Sequence, residues 1–225
     1  MISNLLCLLW MNMNFELTKE IHGTKNNLIA LFNDIKNISY ISGKHELLVS
    51  NILEKNGFTK EEKTLKCKDR EKTINRIDEI GVMENYTFIH QPYGSQQSPD
   101  FIIKYNNYIL ALECKSSKQN YPTYNSGGIN DYIYILSKAG GKTMIYLGTD
   151  IINDEIKGLV DEYLKEVKAI TDEFNKKLKK VDKENVNYSH YHRDMVNTTA
   201  NYFKHLSKDK WEKNAYKKIM EIGLL

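Results

Sequence analysis

Apolar positions along the chain recur in two different rhythms. Leu28, Leu31, Phe32 and Ile35 fall at helical spacing. A second stripe of Leu48, Val49, Ile52 and Leu53 predicts a helix from about Lys44 to Asn56, with Ser42 as its N-cap and Gly57 as the glycine past its end. His45 lies inside that stripe and Glu46 at its border. Between residues 86 and 150 the pattern shortens to β-rich runs: Tyr86–His90, Phe101–Tyr105, Tyr108–Lys115, Tyr132–Leu136 and Thr143–Leu147. Turn residues separate them, notably Asn106-Asn107 and Gly140-Gly141. The helical period returns over Asp154–Val181, where Ile156, Leu159, Val160, Tyr163, Val167, Ile170, Phe174 and Leu178 form one stripe, fit for a core or a dimer seam. Helical stretches around Met195–Leu206 and Lys210–Ile222 close the chain. The expected fold is α/β (α+β mixed), a small sheet flanked by helices with a helical C-terminal part, in a single domain over residues 1–225.

Composition narrows the class without naming a partner. Of 225 residues, 41% are hydrophobic and 11% aromatic, which excludes a disordered chain. Lysine and arginine number 32 against 29 acidic residues, a net charge of +3 that permits a polyanionic partner without requiring one. Lysines outnumber arginines 29 to 3 (Arg70, Arg76, Arg193), and there are 23 asparagines. No run approaches the ~18 apolar residues of a membrane span. The apolar stretch Ile2–Trp10 lacks a basic leader and a small-residue cleavage site, and reads as a buried or dimer-facing segment, with Met11 and Met13 as alternative starts. Cys7, Cys67 and Cys114 form no CxxC pair, so neither structural zinc nor a disulfide framework is indicated and a cytoplasmic location is expected.

The chemistry concentrates between Ser98 and Ser117. A two-residue turn at Asn106-Asn107 sets Tyr105 opposite Tyr108, Ile103 opposite Leu110 and Phe101 opposite Leu112. Extended by one residue, that register places Asp100 opposite Glu113. One face of the hairpin (Phe101, Ile103, Tyr105, Tyr108, Leu110, Leu112, Cys114) is nearly all apolar and belongs in the core. The other bears Asp100, Ile102, Lys104, Ile109, Ala111, Glu113 and Lys115. Opposed carboxylates with Cβ atoms roughly 4.5–5.5 Å apart repel by about 3 kcal/mol at an effective dielectric near 20. A shared proton or a cation must offset this. Two carboxylates, a lysine and the Cys114 backbone carbonyl suit an oxygen-seeking ion such as Mg²⁺.

Pro99-Asp100, twelve intervening residues and then Glu113-Cys114-Lys115 resembles the signature of the PD-(D/E)XK nucleases. The chain contains five [D/E]-x-K triplets, at Asp34, Glu61, Glu113, Glu155 and Glu166, but only Glu113 follows an apolar strand. The resemblance covers about residues 42–150. It implies a restriction-endonuclease-like core with a central mixed sheet, Asp100 and Glu113 as Mg²⁺ ligands aided by the Cys114 carbonyl, and Lys115 as the residue that orients the attacking water. It adds Glu46 as a candidate acid from the preceding helix. It further implies Mn²⁺ as a substitute, Ca²⁺ as a non-productive ligand, 5′-phosphate and 3′-hydroxyl products, a homodimer for cutting both strands, and a cognate DNA methyltransferase as a system partner rather than a stable complex.

The stretch after Lys115 is similar to type II restriction endonucleases, in which a polar loop leaves the catalytic strand. Ser116, Ser117, Lys118, Tyr121, Tyr124, Asn125 and Ser126 are candidates to contact double-stranded DNA. So are Asn187, Ser189, His190, His192 and Arg193, which crowd donors and aromatics between two helical stretches. Simpler readings stand beside these: a solvated connecting loop, a buried and satisfied His45, and a solvated lysine face at Lys176, Lys177, Lys179 and Lys180. The alternatives are a repair, recombination or transposition nuclease of the same fold, a methylation-dependent cutter, a non-catalytic DNA-binding module, and an interaction protein with a charged hairpin.

Overall fold

A computed structural model describes residues 27–65, 83–119, 121–125, 129–192, 195–197 and 208–223. The chain opens with α1 (Leu28–Lys36) and α2 (His45–Lys55), followed by β1 (Thr59–Lys60), β2 (Thr87–His90), β3 (Phe101–Tyr105), β4 (Tyr108–Ser117), β5 (Thr123–Tyr124), β6 (Ile133–Lys138) and β7 (Met144–Leu147). It ends with α3 (Gly148–Ile151), α4 (Asp154–Val181), β8 (Val196–Asn197) and α5 (Lys208–Gly223). Six strands form a mixed sheet in the order β1-β2-β3-β4-β6-β7, with β1–β2 and β4–β6 parallel and the other pairs antiparallel. β5 and β8 pair separately. Among the described residues no helix is long and apolar enough to cross a membrane.

The β3–β4 register is the expected one: Phe101 faces Leu112, Ile103 faces Leu110 and Tyr105 faces Tyr108. Asn106 makes the turn with a positive φ of 51°, a conformation asparagine tolerates. The apolar face of this hairpin joins the main core, where Phe101, Ile103 and Leu112 pack with Leu31 and Phe32 of α1, Val49 and Leu53 of α2, and Ala215 and Ile219 of α5. The opposite face is covered too, by two smaller clusters. One gathers Met83, Ile89 and Ile102, the other Ala111, Tyr124, Tyr134, Leu136 and Tyr146.

Several expectations are corrected. Ser42 does not cap α2; Lys44 occupies the N-cap without a side-chain bond, because a turn at residues 42 and 43 delays the helix start. Gly57 does end the helix, at φ 88°. The helix expected over Met195–Leu206 is absent at Val196 and Asn197, which are extended because they pair with Tyr124 and Thr123; residues 198–207 lie outside the described residues. So do residues 1–26, and with them the Ile2–Trp10 segment and Cys7, as well as Cys67. Helix α4 spans Asp154–Val181 as expected but buries none of its residues, so its stripe is not core.

Candidate active site

The site sits where β3 and β4 part company. Pairing between them ends at Phe101–Leu112, while β4 continues to Ser117 paired only with β6 among the described strands. Beyond Leu112, the main-chain groups of β4 on the β3 side therefore have no strand partner among the described residues. Asp100, the residue before β3, fills part of that gap: its Oδ2 accepts a 2.7 Å hydrogen bond from the Cys114 N–H. In a strand, the N–H and C=O of one residue point to the same side, so the Cys114 carbonyl is directed toward Asp100 as well. Burial, with the carboxylates nearby, pushes the Cys114 thiol well above its ordinary pKa, so the side chain remains a protonated thiol.

Glu113 and Lys115 follow on one face by strand alternation. Lys115 Nζ donates to Glu113 Oε1 at 2.7 Å, and the two side chains are 11% and 4% exposed, lysine first. Glu113 Oε2 is buried and has no protein partner. Glu46 enters from the first turn of α2, where Oε2 accepts from His90 Nε2 at 2.9 Å and Gln91 Nε2 at 3.1 Å. Its neighbour His45 points into the core instead. The His45 Nε2–H donates to the Ile135 carbonyl at 3.2 Å, and burial lowers the ring's pKa, so it is a neutral structural histidine.

Electrostatics sets this cluster apart. Asp100 is raised from 3.8 to about 8, by burial first and then by Glu113 and Glu46, against the Cys114 N–H and Lys115. Glu113 is raised too, chiefly by burial, with Lys115 opposing. Three carboxylates share one lysine, so the group keeps a proton unless a cation takes its place. A cation is the chemical complement. Among the described residues no three His, Cys, Asp or Glu side chains gather closely enough to hold a metal by themselves. That donor set still fits Mg²⁺, which takes one or two carboxylates and fills its remaining positions with water. The orphaned, buried Glu113 oxygen is the observation that favours this fit.

Around the cluster opens a polar cleft of about 580 Å³. Of the residues expected to meet DNA, Ser116, Ser117, Lys118, Tyr121 and Asn125 line it. Ser117 also shapes its own loop, accepting from Gln119 N at 3.0 Å and donating to the Tyr121 carbonyl at 2.7 Å. Tyr124 is a correction: it is fully buried, with its hydroxyl 2.6 Å from that of Tyr146, because β5 carries it beneath the sheet. Asn187, Ser189, His190 and His192 are not brought to the cleft; that segment lies along α4, where His190 exchanges two 2.7 Å bonds with Asn175. Ser126 and Arg193 lie outside the described residues.

The cleft also includes residues that sequence reasoning missed. Ser95, Gln96 and Gln97 line it, and His90 and Gln91 hold Glu46. The run of polar side chains just before Pro99-Asp100 was the available signal. No family model, curated protein or solved structure matches this chain.

Proposed function

We propose that the cleft at the β3–β4 fork is the active site of a Mg²⁺-dependent nuclease that hydrolyses phosphodiesters of double-stranded DNA, in the manner of a type II restriction endonuclease. One observation carries the reading. Asp100, Glu113 and Lys115 converge in a buried cluster whose carboxyls keep a proton unless a cation offsets them, and the cluster opens into a polar cleft. A buried carboxyl raised as far as that of Asp100 is a recognised mark of functional sites.

In this reading Asp100, Glu113 and the Cys114 carbonyl would hold Mg²⁺, which would supply Lewis acidity toward the scissile phosphate and the attacking water. Asp100 is aimed by the Cys114 N–H, which fixes its carboxylate before anything binds. Lys115 has three N–H donors. One is spent on Glu113, and the others orient a water for in-line attack and offset charge developing on the phosphorus oxygens. Glu46, tethered by His90 and Gln91, adds a third carboxylate at the rim, suited to positioning solvent or a second ion. Ser116, Lys118 and Asn125 meet the sugar-phosphate backbone. The water oxygen bonds to phosphorus as the P–O3′ bond breaks, and the 3′ oxygen takes a proton from solvent, which leaves 5′-phosphate and 3′-hydroxyl ends. Mn²⁺ substitutes for Mg²⁺ and Ca²⁺ binds without turnover.

Cutting both strands with one site per chain calls for a homodimer, and a host DNA would need protection by a methyltransferase. With three arginines beside 23 asparagines, base reading leans toward adenine, which Asn pairs with, over guanine, which Arg pairs with. An A·T-rich genome accounts for the same skew. The test is incubation of the purified protein with phage DNA and Mg²⁺. Discrete bands support the reading, smearing or branch-selective cutting indicates a repair or recombination nuclease, and binding without cleavage at any metal indicates a DNA-binding module.

A further inference from the structure

Helix α4 runs for 28 residues, about 42 Å at 1.5 Å per residue, without burying one of them. Its sequence is nonetheless amphipathic. Ile156, Leu159, Tyr163, Ile170, Phe174 and Val181 are between 47% and 70% exposed. Their spacings of three, four and seven keep them on a single seam, the repeat that brings two helices together. The returning segment at residues 186–192 leaves this seam open. It lies along one flank through the Asn175–His190 bonds and sets the His192 ring edge-on to Tyr163 and the His190 ring edge-on to Phe174, each at 6.3 Å. An apolar hollow of about 550 Å³ remains between Val167, Ile170, Phe174 and the two histidines.

Charge along the helix says what covers the seam. Residues 154–167 bear five carboxylates and two lysines, a net −3; residues 168–181 bear five lysines and two carboxylates, a net +3. The helix macrodipole favours such a bias only within the first and last turns. Glu162, Glu166 and Lys176 lie well inside those turns. The two halves are complements of each other. We infer that α4 pairs with α4 of a second copy of this chain, antiparallel about a two-fold axis near residue 168. Each acidic half then lies against a basic half, and the apolar seam closes between them. A parallel pairing would set like charge on like. In the antiparallel register Val167 meets Ile170 of the partner subunit, and Tyr163 meets Phe174 of the partner subunit. The surface gives the homodimer of the nuclease reading a location, but it stands on α4 alone and is tested by mass, whatever the cleft does.

Sedimentation equilibrium of the full chain at micromolar concentration is expected to give a dimer. Ile170→Glu, an exposed substitution, is expected to weaken it by at least about tenfold with unchanged helical circular dichroism. Two further chains fix the orientation. One carries Glu162→Lys with Glu166→Lys, the other Lys177→Glu with Lys180→Glu, all on one flank of the seam; each is expected to stay monomeric alone and to form a heterodimer when mixed. The inference is overturned by a monomeric wild type, including one whose residues 1–26 or 198–207 occupy the seam. It is equally overturned by a dimer indifferent to Ile170→Glu, or by charge-reversed chains that self-associate like the wild type.

Discussion

Asp100 and Glu113 are asked to hold negative charge where burial disfavours it. The folded-state value of Asp100, about 8, lies above its ordinary 3.8, so the folded chain keeps a proton that the unfolded chain has released between those limits. Stability from this source is full below about 3.8 and is lost as pH rises through about 8. Glu113 contributes in the same direction. Thermal melts of metal-free protein should therefore show Tm falling from the acid side toward pH 8. Asp100→Asn should flatten that slope, and Mg²⁺ should restore Tm at the alkaline end. The ion pair beside it offers a second test. Lys115→Met leaves Glu113 buried without its partner and should lower stability by about 3–5 kcal/mol, read by urea denaturation. Adding Glu113→Gln to the same chain should recover most of that loss while leaving the protein inactive. Recovery of stability without recovery of cleavage separates the structural role of the pair from its chemical one.

At the scale of elements, the hairpin explains why so much of the site was readable from sequence. The two-asparagine turn leaves one register, and that register fixes the side of the sheet on which Glu113 and Lys115 stand. What was not readable depended on partners far along the chain. Tyr124 looks like a loop aromatic, and its burial is decided by Tyr134 and Tyr146, which stack at 5.4 Å with Tyr124 edge-on to Tyr134. Val196 sits in a helix-like stretch until Tyr124 claims it as a strand partner. The two-residue strand β1 leaves no periodicity to detect. Two glycines test the element packing. A Cβ added to Gly148 would collide with the Asn130 carbonyl oxygen, a backbone atom that cannot yield locally. Gly148→Ala should cost about 1–3 kcal/mol or more. Gly158, inside α4, has open space around the position its Cβ would take, and Gly158→Ala should stabilise by about 0.5–1 kcal/mol. Equal effects at the two positions, measured by urea denaturation, would contradict the contact geometry.

For the whole molecule, the sheet divides its labour between its faces. One packs against α1, α2 and α5 as a continuous core. The other is covered in patches and gives its remaining surface to Asp100, Glu113 and Lys115 at the point where two strands diverge. The modest net charge of +3 neither requires nor excludes a DNA partner, and a bound cation would offset the carboxylates that line the cleft beside Lys115 and Lys118. The decisive measurement is to incubate wild type and Asp100→Asn with double-stranded phage DNA and Mg²⁺ and sequence the fragment ends. A nuclease site at the β3–β4 fork predicts discrete ends with 5′-phosphates from the wild type, none from Asp100→Asn, and undiminished DNA binding by the variant. Cleavage that survives Asp100→Asn, or a wild type that binds DNA and cuts none with Mg²⁺ or Mn²⁺, would contradict it.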